Sequence, residues 1–230
     1  MVGTVSTPAG LERAARDART LPFDILEVRC GEAVNEVQTL ADAVRAVHAA
    51  GKPVLVTVRN RAEGGTWEDD DPARLAWFEA GLRDADAVDV EMSGALAGPV
   101  CALAASAGRP VVLSWHDFQR TPPADDLLER MRAAAARAGT TVFKAACRVH
   151  TQADISILRA ALQARPPGLP VCLIGMGPEG AATRLEFARH GSVLTYGYID
   201  RPSAPGQFSC RTLREFLAVH SPAYRANMVP

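Results

Sequence analysis

Short apolar runs rich in branched residues alternate, from one end of the chain to the other, with longer stretches whose apolar residues recur at helical spacing. The short runs fall near 2–6, 23–29, 53–59, 87–92, 110–116, 140–146, 170–176 and 192–198. Near-continuous apolar character over a short length, bounded by turn residues, predicts strands covered on both faces. Three of them open on a glycine–proline break, at Gly51-Lys52-Pro53, Gly108-Arg109-Pro110 and Gly168-Leu169-Pro170. The longer stretches, near 9–20, 33–50, 72–83, 95–107, 123–138, 152–165, 178–190 and 208–219, predict helices. In DLLERMRAAAARAG, strong helix formers carry apolar residues at helical spacing and end on a glycine suited to a helix C-terminus. Eight strands alternating with eight helices, with no compositional break, predict a (β/α)8 TIM barrel forming a single catalytic domain over residues 1–230. A doubly wound open sheet is the other arrangement of the same alternation. The first strand is the least defined, because the chain begins almost inside it.

Polar residues interrupt this pattern at one end of many strands. Glu27 and Arg29 end the second, and Arg59 ends the third, followed by Glu63-Gly64-Gly65. Asp89 and Glu91 lie in the fourth, His116 ends the fifth, and Lys144 sits in the sixth. Met176 and Gly177 follow the seventh strand, and Ser203 to Gln207 follow the eighth. In a barrel the carboxyl ends of the strands converge on one mouth, where catalytic groups gather.

Composition sharpens one of these positions. The chain has 23 arginines and two lysines, and Lys144 lies inside the apolar run TTVFKAACRV. Arginine stays protonated and is a poor nucleophile, whereas a buried amine can lose its proton and attack a carbonyl. Lys144 is therefore a Schiff-base candidate; the plainer alternative is a lysine snorkelling to solvent from a strand end. Lys52, in a Gly-Lys-Pro turn, has no such setting.

Charge and cysteine content exclude several classes. A formal net charge of −1 offers no footprint for nucleic acid or an acidic membrane. No apolar stretch approaches the ~20 residues needed to span a bilayer, and MVGTVSTPAG lacks the basic flank and apolar centre of a secretory signal. Five scattered cysteines without a Cys-x-x-Cys pair suggest buried thiols in a reducing, cytoplasmic setting rather than disulfides or zinc.

Three further motifs compete. Gly175-Met176-Gly177-Pro178-Glu179-Gly180 matches G-x-G-x-x-G, with Asp200 beyond it, but too little chain follows to build a nucleotide-binding half-sheet. Ser114, His116 and Asp117 contain the residue types of a hydrolase triad, yet neighbours 116 and 117 point to opposite faces of a strand. His48, His190 and His220 fall in helices or at helix ends without partner spacing, as surface residues do.

Taken in order, FDILEVR, TVRNRAEGG, VDVEM, SWHDFQRTP, FKAA, MGPEGAATR, HGSVLTYG and SAPGQ resemble the type I 3-dehydroquinate dehydratases. The resemblance runs from about residue 23 to 207 and is most specific in HDF-x-x-TP, SAPGQ and the isolated strand lysine. It implies a (β/α)8 barrel, a cytoplasmic homodimer, no metal or organic cofactor, and dehydration of 3-dehydroquinate to 3-dehydroshikimate in aromatic amino-acid biosynthesis. By the same resemblance Lys144 is the Schiff-base lysine, His116 the general acid/base, and Glu63 the acidic residue beside that histidine. Glu27, Val28, Arg29 and Arg59 match substrate-binding positions, and Arg184, Ser203 and Gln207 the group holding the substrate carboxylate. Arg59 and other nearby cations, with partial desolvation, are expected to favour the neutral amine.

The chain departs from the family pattern in places. Val28 stands where an aromatic residue is common, and Gly31 where aspartate is; Arg148 and Val149 replace methionine and proline. The clipped first strand gives no clear counterpart to a polar residue often supplied there. Two alternatives stay open: another Schiff-base barrel lyase such as a class I aldolase, or a weakened barrel that only binds a hydroxylated carboxylate.

Overall fold

The computed structural model describes residues 1–68 and 72–226. Its strands are β1 (Val2–Val5), β2 (Ile25–Arg29), β3 (Val54–Thr57), β4 (Ala87–Glu91), β5 (Val111–Asp117), β6 (Thr140–Arg148), β7 (Val171–Met176) and β8 (Tyr196–Tyr198). The helices between and after them are α1 (Pro8–Arg16), α2 (Val37–His48), α3 (Pro72–Asp84), α4 (Ala97–Ser106), α5 (Ala124–Ala136), α6 (Gln152–Gln163), α7 (Thr183–Arg189), α8 (Cys210–His220) and α9 (Pro222–Ala226). All eight strands form one parallel sheet in the order β7-β6-β5-β4-β3-β2-β1-β8. Sequential order, with the last strand laid against the first, is the topology of a TIM barrel; a doubly wound sheet would reverse direction at its middle. Residues just ahead of β8 stitch the remaining seam: Val193 N donates to Val171 O at 2.9 Å, and Cys172 Sγ to Leu194 O at 3.3 Å.

The first strand is complete. It pairs in register with β2 from Val2↔Ile25 to Val5↔Val28 and with β8 from Val2↔Tyr196 to Thr4↔Tyr198. It also supplies an inward polar side chain, Thr4, so the expected gap there does not exist.

Alternation along the strands sorts residues between two cores. Leu26, Val28, Val56, Val90 and Leu113 belong to the large cluster shared by the sheet and the surrounding helices. Val2, Leu55, Val112, Ala146, Cys172, Ile174, Met176 and Tyr196 fill the barrel interior. All five cysteines are free and buried. His48 pairs with Asp86 at 2.7 Å, while His190 and His220 are exposed.

Every predicted strand and helix is found, with differences at the ends. The predicted start of the second helix at 33 moves to Val37, because Cys30 to Val34 form a tight turn in which Gly31 N bonds Val34 O at 2.8 Å. The seventh helix begins at Thr183 rather than 178, since the segment ahead of it is spent in turns that end on the Gly180 O–Thr183 N bond of 3.0 Å. The eighth strand is shorter than predicted because residues 192–194 serve the seam. A 3₁₀ turn over Arg61–Glu63 and helix α9, which starts on Pro222, were not predicted. No helix among the described residues is long and apolar enough to cross a membrane.

Candidate active site

One cavity at the carboxyl ends of the strands is lined by Glu27, Arg29, Arg59, Glu63, His116, Lys144, Arg184, Ser203 and Gln207, joined by Thr4, Phe118 and Tyr196. All the residues expected at the site converge there except Val28. Its side chain is fully buried on the helix side of β2, one position out of phase with Glu27 and Arg29. The strand's twofold period forbids it from sharing their face.

Lys144 is buried rather than snorkelling to solvent, and it is paired. Its Nζ donates to Asp89 Oδ2 at 2.6 Å and lies 4.4 Å from the centre of the Tyr196 ring. Asp89, with no exposed surface, also accepts at Oδ1 from Arg59 Nη2 and from Ser114 Oγ, both at 2.6 Å. Burial opposes ionisation of Asp89, but Arg59 and then Lys144 outweigh it and hold the carboxyl below the usual range. Arg59 in turn reaches Glu91 at 3.1 Å, and Arg74 on α3 bonds Glu91 and Val58 O. Arg59 therefore does not face the lysine as a bare cation, since two carboxylates neutralise it.

The next strand end carries the titratable pair. Asn60 Oδ1 accepts from Glu63 N at 2.7 Å, which winds the 3₁₀ turn that aims Glu63 inward. Gly65, two residues after Glu63, must be glycine, because a Cβ there would sit 2.0 Å from Arg59 O. Glu63 Oε2 lies 2.8 Å from His116 Nδ1, and the imidazole stacks on Phe118 with centroids 6.1 Å apart. Burial pushes the Glu63 carboxyl up to about 7, with Arg59 opposing and Glu91 and Asp89 adding to the rise. Burial, followed by Arg59 and Lys144, holds the His116 imidazole well below its ordinary 6.5. At neutral pH the imidazole is uncharged and Glu63 is poised between its two states.

On the β1–β3 side, Glu27 accepts from Thr4 Oγ1 at 2.7 Å and Thr57 Oγ1 at 2.8 Å. Glu27 and Arg29 do not pair with each other. Arg29 instead turns to Glu32, at 3.0 Å from Nε, and to Gly64 O at 3.1 Å. Opposite them, Arg184 Nη1 donates to Gly175 O at 2.9 Å and Gly206 O at 3.3 Å. Among the described residues it has no carboxylate partner, its Nε is buried without any, and burial draws it down to about 10. Ser203 and Gln207 close this corner, with both N and Oγ of Ser203 donating to Gln207 Oε1 at 2.7 and 3.0 Å.

The competing motifs have other uses. Asp200 is taken by the hydroxyl of Thr7, the N-cap of α1, so no acidic residue waits for a ribose beyond the glycine-rich turn. Ser114 serves Asp89, while Asp117 accepts the backbone N–H groups of Gln119 and Arg120 at 2.9 and 3.0 Å. Gly31 is also explained. Its φ is +88°, and a Cβ there would meet Trp67 Nε1 at 2.4 Å, where that indole donates to Cys30 O. Phe118 and Tyr196 stand within the resembling segments SWHDFQRTP and HGSVLTYG but were not singled out, Thr4 had no signal beyond strand parity, and the Lys144–Asp89 pair joins residues 55 apart.

Comparison with known proteins converges on one family. The model of the type I 3-dehydroquinase family matches residues 4–222. The 3-dehydroquinate dehydratase of Methanosarcina barkeri is 34% identical over 213 residues, covering 88% of each chain. The crystal structure of 3-dehydroquinate dehydratase from Geobacillus kaustophilus superposes with a TM-score of 0.81 at 26% identity, over 96% of this chain and 91% of that one. The Aquifex aeolicus structure, at 24% identity and a TM-score of 0.84 over 96% and 99% of the two chains, shares the fold. With its barrel and its clustered lysine, histidine and arginines, this chain belongs to the type I 3-dehydroquinase family.

Proposed function

We propose that this protein is a hydro-lyase that converts 3-dehydroquinate to 3-dehydroshikimate through an imine on Lys144, in the shikimate pathway leading to aromatic amino acids. The observation that carries the reading is a buried lysine amine facing the same cavity as a neutral imidazole and a buried arginine without a counter-charge. A lysine amine buried at an enzyme cavity is suited to attack a carbonyl, and an uncompensated guanidinium is suited to a carboxylate. 3-Dehydroquinate carries both a ketone and a carboxylate.

In this mechanism Arg184 takes the substrate carboxylate, with Ser203 and Gln207 beside it, while Glu27 and Arg29 meet ring hydroxyls and Arg59 braces the site. Lys144 gives up a proton and adds to the ring ketone; loss of water leaves an iminium, an electron sink that acidifies the neighbouring C2–H. His116 is neutral in the resting site, so it can remove that proton and return it to the departing C1 hydroxyl as water in a syn elimination. Glu63, bonded to Nδ1, fixes the ring so that Nε2 serves the substrate. Hydrolysis of the product imine frees the lysine. The barrel acts as one catalytic domain in a cytoplasmic homodimer, an assembly state that light scattering tests.

Borohydride added during turnover with 3-dehydroquinate, followed by intact-mass and peptide mapping, tests the chemistry. A reduced adduct at Lys144 is the expected result; an adduct elsewhere, or none while product still forms, removes the imine from the mechanism.

A further inference from the structure

Tyr196, on β8, is 5% exposed and lines the cavity, yet among the described residues its hydroxyl is buried without a hydrogen-bond partner. That is a costly way to fill space, because a phenylalanine would occupy the same volume with no polar atom to strand. The acceptors of the neighbouring network already have donors. Glu27 takes Thr4 and Thr57, and Asp89 takes Arg59, Ser114 and Lys144. The phenol is thus a donor that the protein's own acceptors leave uncommitted. It belongs to the ring whose centre lies 4.4 Å from Lys144 Nζ, the nitrogen where new bonds would form.

We propose that the Tyr196 hydroxyl is a catalytic hydrogen-bond donor to the oxygen on the carbon that Lys144 attacks. This rests on the imine reading of Lys144. Moving the amine from Asp89 toward a ketone carbon uncovers the ring it now overlies. As the nitrogen lone pair forms the N–C bond, the carbonyl π pair moves onto oxygen, and the phenol meets that oxygen while its charge grows. A proton then passes from nitrogen to the same oxygen, giving the carbinolamine. Tyr196 keeps its own proton throughout, so no further acid or base is consumed. His116 takes the proton that Lys144 first gives up and returns it to the carbinolamine hydroxyl, which leaves as water while the ring face lies against the cationic iminium nitrogen.

The test is rapid-quench borohydride trapping of wild type and Tyr196→Phe under single-turnover conditions with 3-dehydroquinate, alongside thermal melting of both proteins. Tyr196→Phe is expected to form the Lys144 adduct about tenfold more slowly, with kcat lowered more than KM is raised. Its melting temperature is expected to be unchanged or higher, since the substitution removes a stranded hydroxyl. An adduct that forms at the wild-type rate in Tyr196→Phe overturns the tyrosine's role and leaves the imine intact. Absence of any Lys144 adduct in the wild type overturns the imine reading instead. A slower adduct explained wholly by a lower folded fraction also overturns the proposal, because it would reduce Tyr196 to packing.

Discussion

Lys144 Nζ and Asp89 Oδ2 lie 2.6 Å apart, both in the barrel interior, so the amine rests against a carboxylate that is itself shared with Arg59 and Ser114. Asp89 thereby sets both the position and the resting partner of the amine. Asp89→Asn should leave Arg59 and Lys144 short of a counter-charge, lowering stability by about 3 kcal/mol, as breaking a buried pair does. Loss of the lysine's position should lower kcat on the order of 10²-fold. The Asp89 carboxyl is held below its usual range, so the stability it contributes is fully present above that range and lost as pH falls through it toward the lower folded value. Acid titration of unfolding should therefore show a weaker acid dependence in the variant than in wild type.

Glu63 titrates in the opposite sense. Its carboxyl rises from 4.5 to about 7 on folding, so the native state binds the extra proton and stability falls as pH climbs through that window. Glu63→Gln removes the penalty. Its stability relative to wild type should rise between pH 5 and 8 by up to about 3 kcal/mol, at roughly 1.4 kcal/mol for each pH unit. Denaturant unfolding across that range checks the sign. Turnover should nonetheless fall about 10-fold or more, because His116 loses the group that orients it.

Arg184 should separate stability from function. Its guanidinium is buried with two carbonyl partners and, among the described residues, no carboxylate, an arrangement that costs stability. Arg184→Met is expected to hold or raise the melting temperature while raising KM for 3-dehydroquinate roughly 100-fold, the loss of a charged hydrogen-bonded contact. Steady-state kinetics and a melt on the same preparation decide it; an unchanged KM would take the carboxylate away from this corner.

Gly31→Asp, which restores the residue common in the resembling family, should destabilise this chain. The position has φ +88°, and the new Cβ would press on Trp67 Nε1. A loss of about 1–3 kcal/mol is expected from the strained backbone alone. Chemical denaturation measures it, and the indole's fluorescence reports whether its bond to Cys30 O survives.

The alternation of apolar runs and helical stretches carried the barrel, because strand and helix periods are local properties of the chain. Glu27, Arg29, Arg59, His116 and Lys144, which line one cavity, were legible as candidates because each stands as a polar exception within or at the end of an apolar strand, where burial makes polarity expensive. Val28 shows the limit of resemblance: the same parity that turns Glu27 and Arg29 inward turns it out, into the helix-facing core. Thr4 shows the opposite error, since β1 is short but paired on both sides through Thr4, whose side chain reaches the mouth. Who bonds whom was decided only by the closed sheet. Lys144 meets Asp89 and Tyr196, Arg59 meets Asp89 and Glu91, and Glu63 meets His116, all across strands and turns far apart in sequence. Side-chain chemistry and strand period are written residue by residue; pairing, and with it the proton distribution, depends on distances and burial that exist only once the barrel has closed.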